Sequence, residues 1–252
     1  MEVDISGARI LYTFPFDIPI LGKLSITETI VVSWLVMAII TGLCIWLTRD
    51  LKVENISKRQ ALAEMIVEKA NQFVIGNMGE RFKGLIPLVS ALFATSVVSN
   101  LISLIGLRSP TADLSVEAAW AIMVFCMITY QKIKTNGIGG YLKGYTEPIP
   151  VMTPFNVLSE LATPISMACR HFGNILSGLV IDTLIYGALG VASSALLGLI
   201  PGAVGQFLSK IPILEVGIPA VTGVYFDWFS GCMQAFIFCM LTTMYIANAA
   251  EG

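Results

Sequence analysis

The sequence predicts an all-α polytopic membrane protein with about five transmembrane helices and one further helix on the cytoplasmic surface. Three observations carry this. The 252 residues are 56% hydrophobic and only 13% charged, whereas soluble domains carry about 25% charged residues. Mean hydropathy is +0.80. Uncharged stretches long enough to cross a bilayer recur along the chain, and lysine and arginine concentrate in alternate connections between them. The net charge of −2 offers no basic footprint for nucleic acid.

One membrane domain is expected over residues 1–252, with residues 1–28 as an extracytoplasmic N-terminus. Glu2 and Asp4 precede a late first apolar run, which is not the basic start of a signal peptide. Residues 29–48 are twenty uncharged residues, about 30 Å of helix and enough to span. Residues 57–78 are amphipathic. Ser57 and Gln60 form a capping-box pattern, and Leu62, Met65, Ile66, Phe73 and Val74 share a face. This helix either lies in the cytoplasmic interface or covers the bundle as a loop helix.

Span two occupies residues 84–107 and span three 114–131, with Asp113 and Glu117 near its start. There a carboxylate can reach water, so either residue marks the boundary or joins a polar path. Spans four and five cover residues 155–209 and 212–249. The latter would be about 57 Å of helix, so it is broken or steeply tilted. Pro201-Gly202 and Pro212 mark a turn that makes these two a helical hairpin.

Ten basic residues lie in the connections between spans one and two and between spans three and four. Four lie on the opposite side: Arg9, Lys23, Arg108 and Lys210. This predicts an N-terminus outside and a C-terminus inside. Five cysteines (Cys44, Cys126, Cys169, Cys232, Cys239) form no CxxC pair and read as buried small hydrophobes. The single histidine, His171, makes a zinc site improbable.

Only Arg170 is left among the basic residues, deep within span four. A guanidinium stays protonated at physiological pH. Placing it in hydrocarbon costs roughly 3 kcal/mol on insertion scales, so a fixed charge there implies a use, and ion translocation is the expected one. Ser166, Arg170, Asn174 and Ser177 are spaced by four, four and three, which places them on one helical face. Asp227 and Gln234, seven apart, share a face of span five, with Gly231 between them thinning it for water or a neighbouring helix. Glu160 lies near the inner end of span four, and Asp182 lies deep within it.

These residues carry a resemblance to the a subunit of F-type ATP synthases. The string PFNVLSELATPISMACRHFGNILSG resembles that family's segment around its essential arginine, and MQAFIFCMLTTMYIANA resembles its final helix. SPTADLSVEAA and NGIGGY are similar to two central landmarks. The resemblance implies a multi-pass protein of the bacterial plasma membrane whose last two helices are long and strongly tilted. It implies partners: a ring of c subunits, peripheral-stalk b subunits and the rest of the complex. It also implies that Arg170 faces the rotor carboxylates, with Asn174 and Gln234 as polar neighbours. No cofactor is implied. The translocated ion is H+ or Na+, with H+ favoured.

If Arg170 and Gln234 share one depth, an antiparallel hairpin puts Asp227 level with Ser177. Asp227 and Asp182 are then outside Arg170, and Glu160 inside, as two separate half-channels require. Asp113 is a further candidate for the outer path. Leu179 stands where the family often has an acidic residue or histidine, and Asp182, one turn on, is a candidate for that role. His171 stands where the family usually has leucine, and reads as a packing or interfacial substitution or, less favoured, a proton relay.

Two rival classes are weaker. A secondary transporter usually shows inverted repeats, and none is visible. An intramembrane enzyme would show a GxSG-type serine, an HExxH or a DDxxD cluster, and none is present.

Overall fold

The computed structural model describes residues 9–18, 22–147, 149–198, 222 and 224–251. Two strands, β1 (Ile10–Ile18) and β2 (Gly22–Thr27), pair antiparallel before the first helix. No element was expected in this N-terminal segment. Aromatic and β-branched residues such as Tyr12, Thr13 and Ile26 suit a strand, and Glu28 N–H donates to the Arg9 carbonyl at 2.9 Å, tying the hairpin to the helix start.

The helices are α1 (Glu28–Thr48), α2 (Lys58–Met78), α3 (Ile86–Ile102), α4 (Leu114–Gly144), α5 (Thr153–Gly198) and α6 (Gly231–Glu251). Five segments are long and apolar enough to cross a membrane: Glu28–Thr48, Glu80–Ile105, Leu114–Gly144, Pro150–Leu196 and Trp228–Glu251. The molecule is an all-α polytopic membrane protein apart from its short hairpin. The expected turn at Pro201, Gly202 and Pro212, with Lys210, lies outside the described residues.

The helix that carries span three continues past residue 131. Lys132 and Lys134 suggested an end at 131, yet α4 continues to Gly144 through a break at Gly137 (φ 69°, ψ 168°). Glycine adopts this backbone without the steric penalty of a Cβ, so the chain is re-aimed there and helix resumes. The 46-residue α5 would be about 69 Å long, more than twice the hydrocarbon thickness, so it cannot stand upright in a bilayer.

The core lies where α2 ends and α3, α4, α5 and α6 meet. It contains Val74, Met78, Val89, Leu92, Val124, Met167, Phe238 and Ile246. α1 joins α3 through a separate small cluster of Val32, Val36 and Ile102. The rest of its surface, including Trp34, Leu43, Ile45 and Trp46, is exposed and apolar, as lipid contact requires. The cysteine expectation is also corrected: Cys239 is buried, Cys232 is half-buried, and Cys44, Cys126 and Cys169 are exposed on the helix surfaces.

α2 starts as its sequence specifies. The Ser57 hydroxyl accepts from the Gln60 backbone N–H at 3.2 Å. The Gln60 side chain bonds the Lys52 backbone and Glu64 instead of returning to Ser57. Its second half docks on the bundle through Val74 and Met78, with Phe73 against Phe236 (5.5 Å between centroids). Leu62, Met65 and Ile66 remain exposed. An uncovered apolar face of this kind matches the interfacial placement better than a loop helix sealed on the bundle.

Candidate functional site

α5 carries the predicted polar stripe, and the structure divides it. Ser166, Arg170 and Ser177 are exposed, while Asn174 is half-buried. Leu158, Leu161 and Ile165 are exposed on the same helix. Arg170 thus stands at the surface of a largely apolar helix. Among the described residues, no hydrogen bond or ion pair joins it to this chain. Ser177 satisfies its own hydroxyl by donating to the Gly173 carbonyl at 2.6 Å.

Asn174 turns toward α6. Its Oδ1 accepts from the Ser230 hydroxyl at 2.9 Å, which fixes the register of the two helices. One turn back along α5 and one turn on along α6, Arg170 and Gln234 share a level. Gln234 is buried on the inner face of α6, so it lies level with Arg170 without bonding to it. Asp227 falls within the π-helical segment Val224–Ser230 that precedes α6, and its side chain is outside the described set.

Gly231 does admit a neighbouring helix. Asn100 of α3 donates from Nδ2 to the Gly231 carbonyl at 3.0 Å, and a Cβ at Gly231 would meet the Asn100 Cβ at 2.9 Å. Asn100 Oδ1 accepts from the Thr111 hydroxyl at 2.8 Å, and Thr111 contacts Ser109 at 2.6 Å. This buried chain joins α3, the turn before α4 and the π-to-α junction, where irregular backbone releases carbonyls that need a donor.

The carboxylates fall into different environments. Asp182 is half-buried, and its Oδ1 is sealed from solvent with no hydrogen-bond partner. Asp113 is the N-cap of α4 and accepts from the Ser115 N–H at 3.0 Å, an ordinary capping role. Glu160 is 2.9 Å from Lys132 Nζ, and the Tyr141 hydroxyl donates to it at 3.3 Å. All three line a cavity of about 420 Å³ that also holds Tyr145, Asn156 and Asn248. Pro164, one turn beyond Glu160, has no N–H, so the Glu160 carbonyl loses its helical partner beside this polar space. Burial first, then hydrogen bonding with Glu160 and Tyr141, raises the Tyr145 hydroxyl above the ordinary phenol range. It therefore stays protonated as a donor.

Sequence reasoning missed one close contact. His171 Nδ1 lies 2.9 Å from Glu117 Oε2, and both side chains are fully buried. Glu117 is buried against α5 instead of open to water, and His171 takes the packing placement of the two expected of it. The available signal was chemical: ionisable residues inside membrane segments pair with one another. Lys132 and Tyr141 at Glu160 were missed because long side chains meet across helices far apart in sequence.

Comparison with known proteins accords with this geometry. The sequence profile of the family described as ATP synthase A chain matches residues 30–247. ATP synthase subunit a 1 of Hahella chejuensis is 33% identical, over 92% of this chain and 87% of that protein. ATP synthase subunit a 1 of Crocosphaera subtropica is 34% identical over 89% and 87%. That of Chlorobaculum parvum is 34% identical over 91% of each. A match of this extent places the chain in the ATP synthase A chain family.

Proposed function

We propose that this chain is the ion-translocating stator subunit of a rotary F-type ATP synthase. It performs no catalysis alone and works within the ATP synthase complex, beside a ring of c subunits and the peripheral-stalk b subunits. Arg170 carries the reading: a permanent cation on the exposed face of a membrane helix, with no partner in its own chain among the described residues. Such a charge in hydrocarbon calls for an acid supplied by another polypeptide.

The mechanism is electrostatic gating. An ion enters from outside along Asp227 and Asp182, with Asp113 at the mouth, and neutralises a rotor carboxylate. The neutral carboxylate passes into lipid, from which an ionised one is excluded by desolvation. As the loaded site reaches Arg170, the guanidinium favours the ionised form. The ion then leaves through the inner path. The cavity holding Glu160, Lys132 and Tyr141 supports that exit. Arg170, set between the two paths, also blocks direct leakage. The drive is about 2.3 kcal/mol per charge for each 100 mV.

The basic-residue count favours an N-terminus outside and a C-terminus in the cytoplasm of a bacterial cell. H+ is the favoured ion, and Na+ stimulation of ATP hydrolysis in the reconstituted complex would reassign it. Arg170→Lys is the direct test, because a desolvated ammonium can lose its proton where a guanidinium does not. The variant should assemble yet support no coupled synthesis in proteoliposomes. Synthesis at the unmodified rate would end the proposal.

A further inference from the structure

Four helices converge on one histidine. His171 of α5 contacts Glu117 of α4 through Nδ1 at 2.9 Å, and its Nε2 lies 3.2 Å from the Ser96 hydroxyl of α3. Trp120 of α4 and Phe238 of α6 flank the ring, with centroids 6.4 and 5.7 Å away. The contact with Glu117 is close but misaligned. Both carboxylate oxygens and Nδ1 lack a well-formed hydrogen bond. Around the pair, α4 contributes Asp113 one turn earlier, and α5 contributes Arg170, which faces away. Residues 86–102 of α3 and 231–250 of α6 contain no charged side chain.

We propose that Glu117, His171 and Ser96 form a rotational clamp on α5 that holds Arg170 outward. Successive residues of a helix diverge by about 100°. With His171 fixed inside, Arg170 must lie round the side of the helix. Apolar packing alone sets rotation weakly, because neighbouring ridges offer similar contacts. A buried polar pair resists rotation differently: turning α5 would carry the imidazole away from the carboxyl group within a site that has no water-facing surface. Asn174, one turn on, adds a second directional contact through Ser230. His171 and Glu117 are thus positioning residues acting through Arg170. The consequence for pumping rests on the stator reading above, whereas the rotation of α5 is measurable without it.

The test places nitroxide labels on single cysteines in the full chain, with its native cysteines replaced, in lipid bilayers. Labels at 166, 169 and 177 report exposed positions, and labels at 163 and 172 report half-buried ones. Oxygen collision rates should be several-fold higher in the first set. Removing one partner of a buried ion pair strands the other, whereas replacing both with apolar groups does not. Glu117→Gln should therefore cut this contrast at least twofold, and Glu117→Asp should cut it partially. The double variant Glu117→Met with His171→Leu strands neither member of the pair but lacks its directional contact, so its contrast should fall as well, and a retained contrast there would overturn the clamp. Unchanged contrast in both single variants would overturn the clamp. A double variant that keeps its contrast but loses pumping would also overturn it, assigning the pair to proton carriage. Full pumping by Arg170→Lys beside a collapsed contrast in Glu117→Gln would remove the stator reading and leave the clamp standing.

Discussion

Arg170 and His171 are consecutive basic residues on one helix, and their surroundings are opposite. Arg170 is exposed on an apolar face and finds no partner in its own chain among the described residues. His171 has no exposed surface and sits against Glu117, Ser96 and two aromatic rings. A rotation of about 100° separates a base packed inside the chain from a cation exposed on its surface. Two of the paired carboxylates repeat the contrast. Glu160 meets Lys132 beside a polar cavity, where side chains can exchange with water. Glu117 meets His171 in a site sealed by aromatic packing. Similar acid–base chemistry thus serves hydration in one place and fixation in the other.

The largest effect is expected from Arg170→Lys, which keeps a charge on the outward face but makes it titratable; coupled ATP synthesis should fall to background while assembly persists. Glu160→Gln should come next. It leaves Lys132 without its acid beside the cavity, and ATP-driven pumping should drop by about a hundredfold, the lower end of typical proton-transfer contributions. An unchanged rate would detach that cavity from the ion path. Asp182→Asn should slow synthesis several-fold, because an amide cannot take up the proton that a carboxylate can; unaltered synthesis would remove Asp182 from the outer path. Gly231→Ala probes the inward face. Its Cβ would press on Asn100, and thermal stability of the purified subunit should fall by about 1–3 kcal/mol, as overpacking usually gives. Ser57→Ala, remote from both faces, should cost about 1 kcal/mol in α2 through loss of the N-cap. Amide exchange at Lys58–Gln60 would report it without any change in pumping.

Much of this molecule was legible from composition and spacing. Bilayer crossing requires long apolar runs, so the spans followed from hydrophobic length. Arg170 was conspicuous because charge in hydrocarbon is rare. The four-four-three spacing placed the polar stripe on one helix, and the length excess of the last spans called for a break or a steep tilt. The level of Arg170 with Gln234 agrees with the Asn174–Ser230 contact. Other features depended on neighbours that local pattern does not encode. The extension of α4 beyond residue 131 turned on a positive φ at Gly137, and the N-terminal hairpin on pairing between strands.

The sequence by itself determined which segments are long and apolar enough to cross a membrane and which residue sets a permanent cation among them, because both follow from transfer energies that act residue by residue. Only the tertiary structure decided which side chains answer one another. Glu117 and His171 stand 54 positions apart, and the packing of four helices, which no local periodicity specifies, brings them together and turns the neighbouring arginine outward.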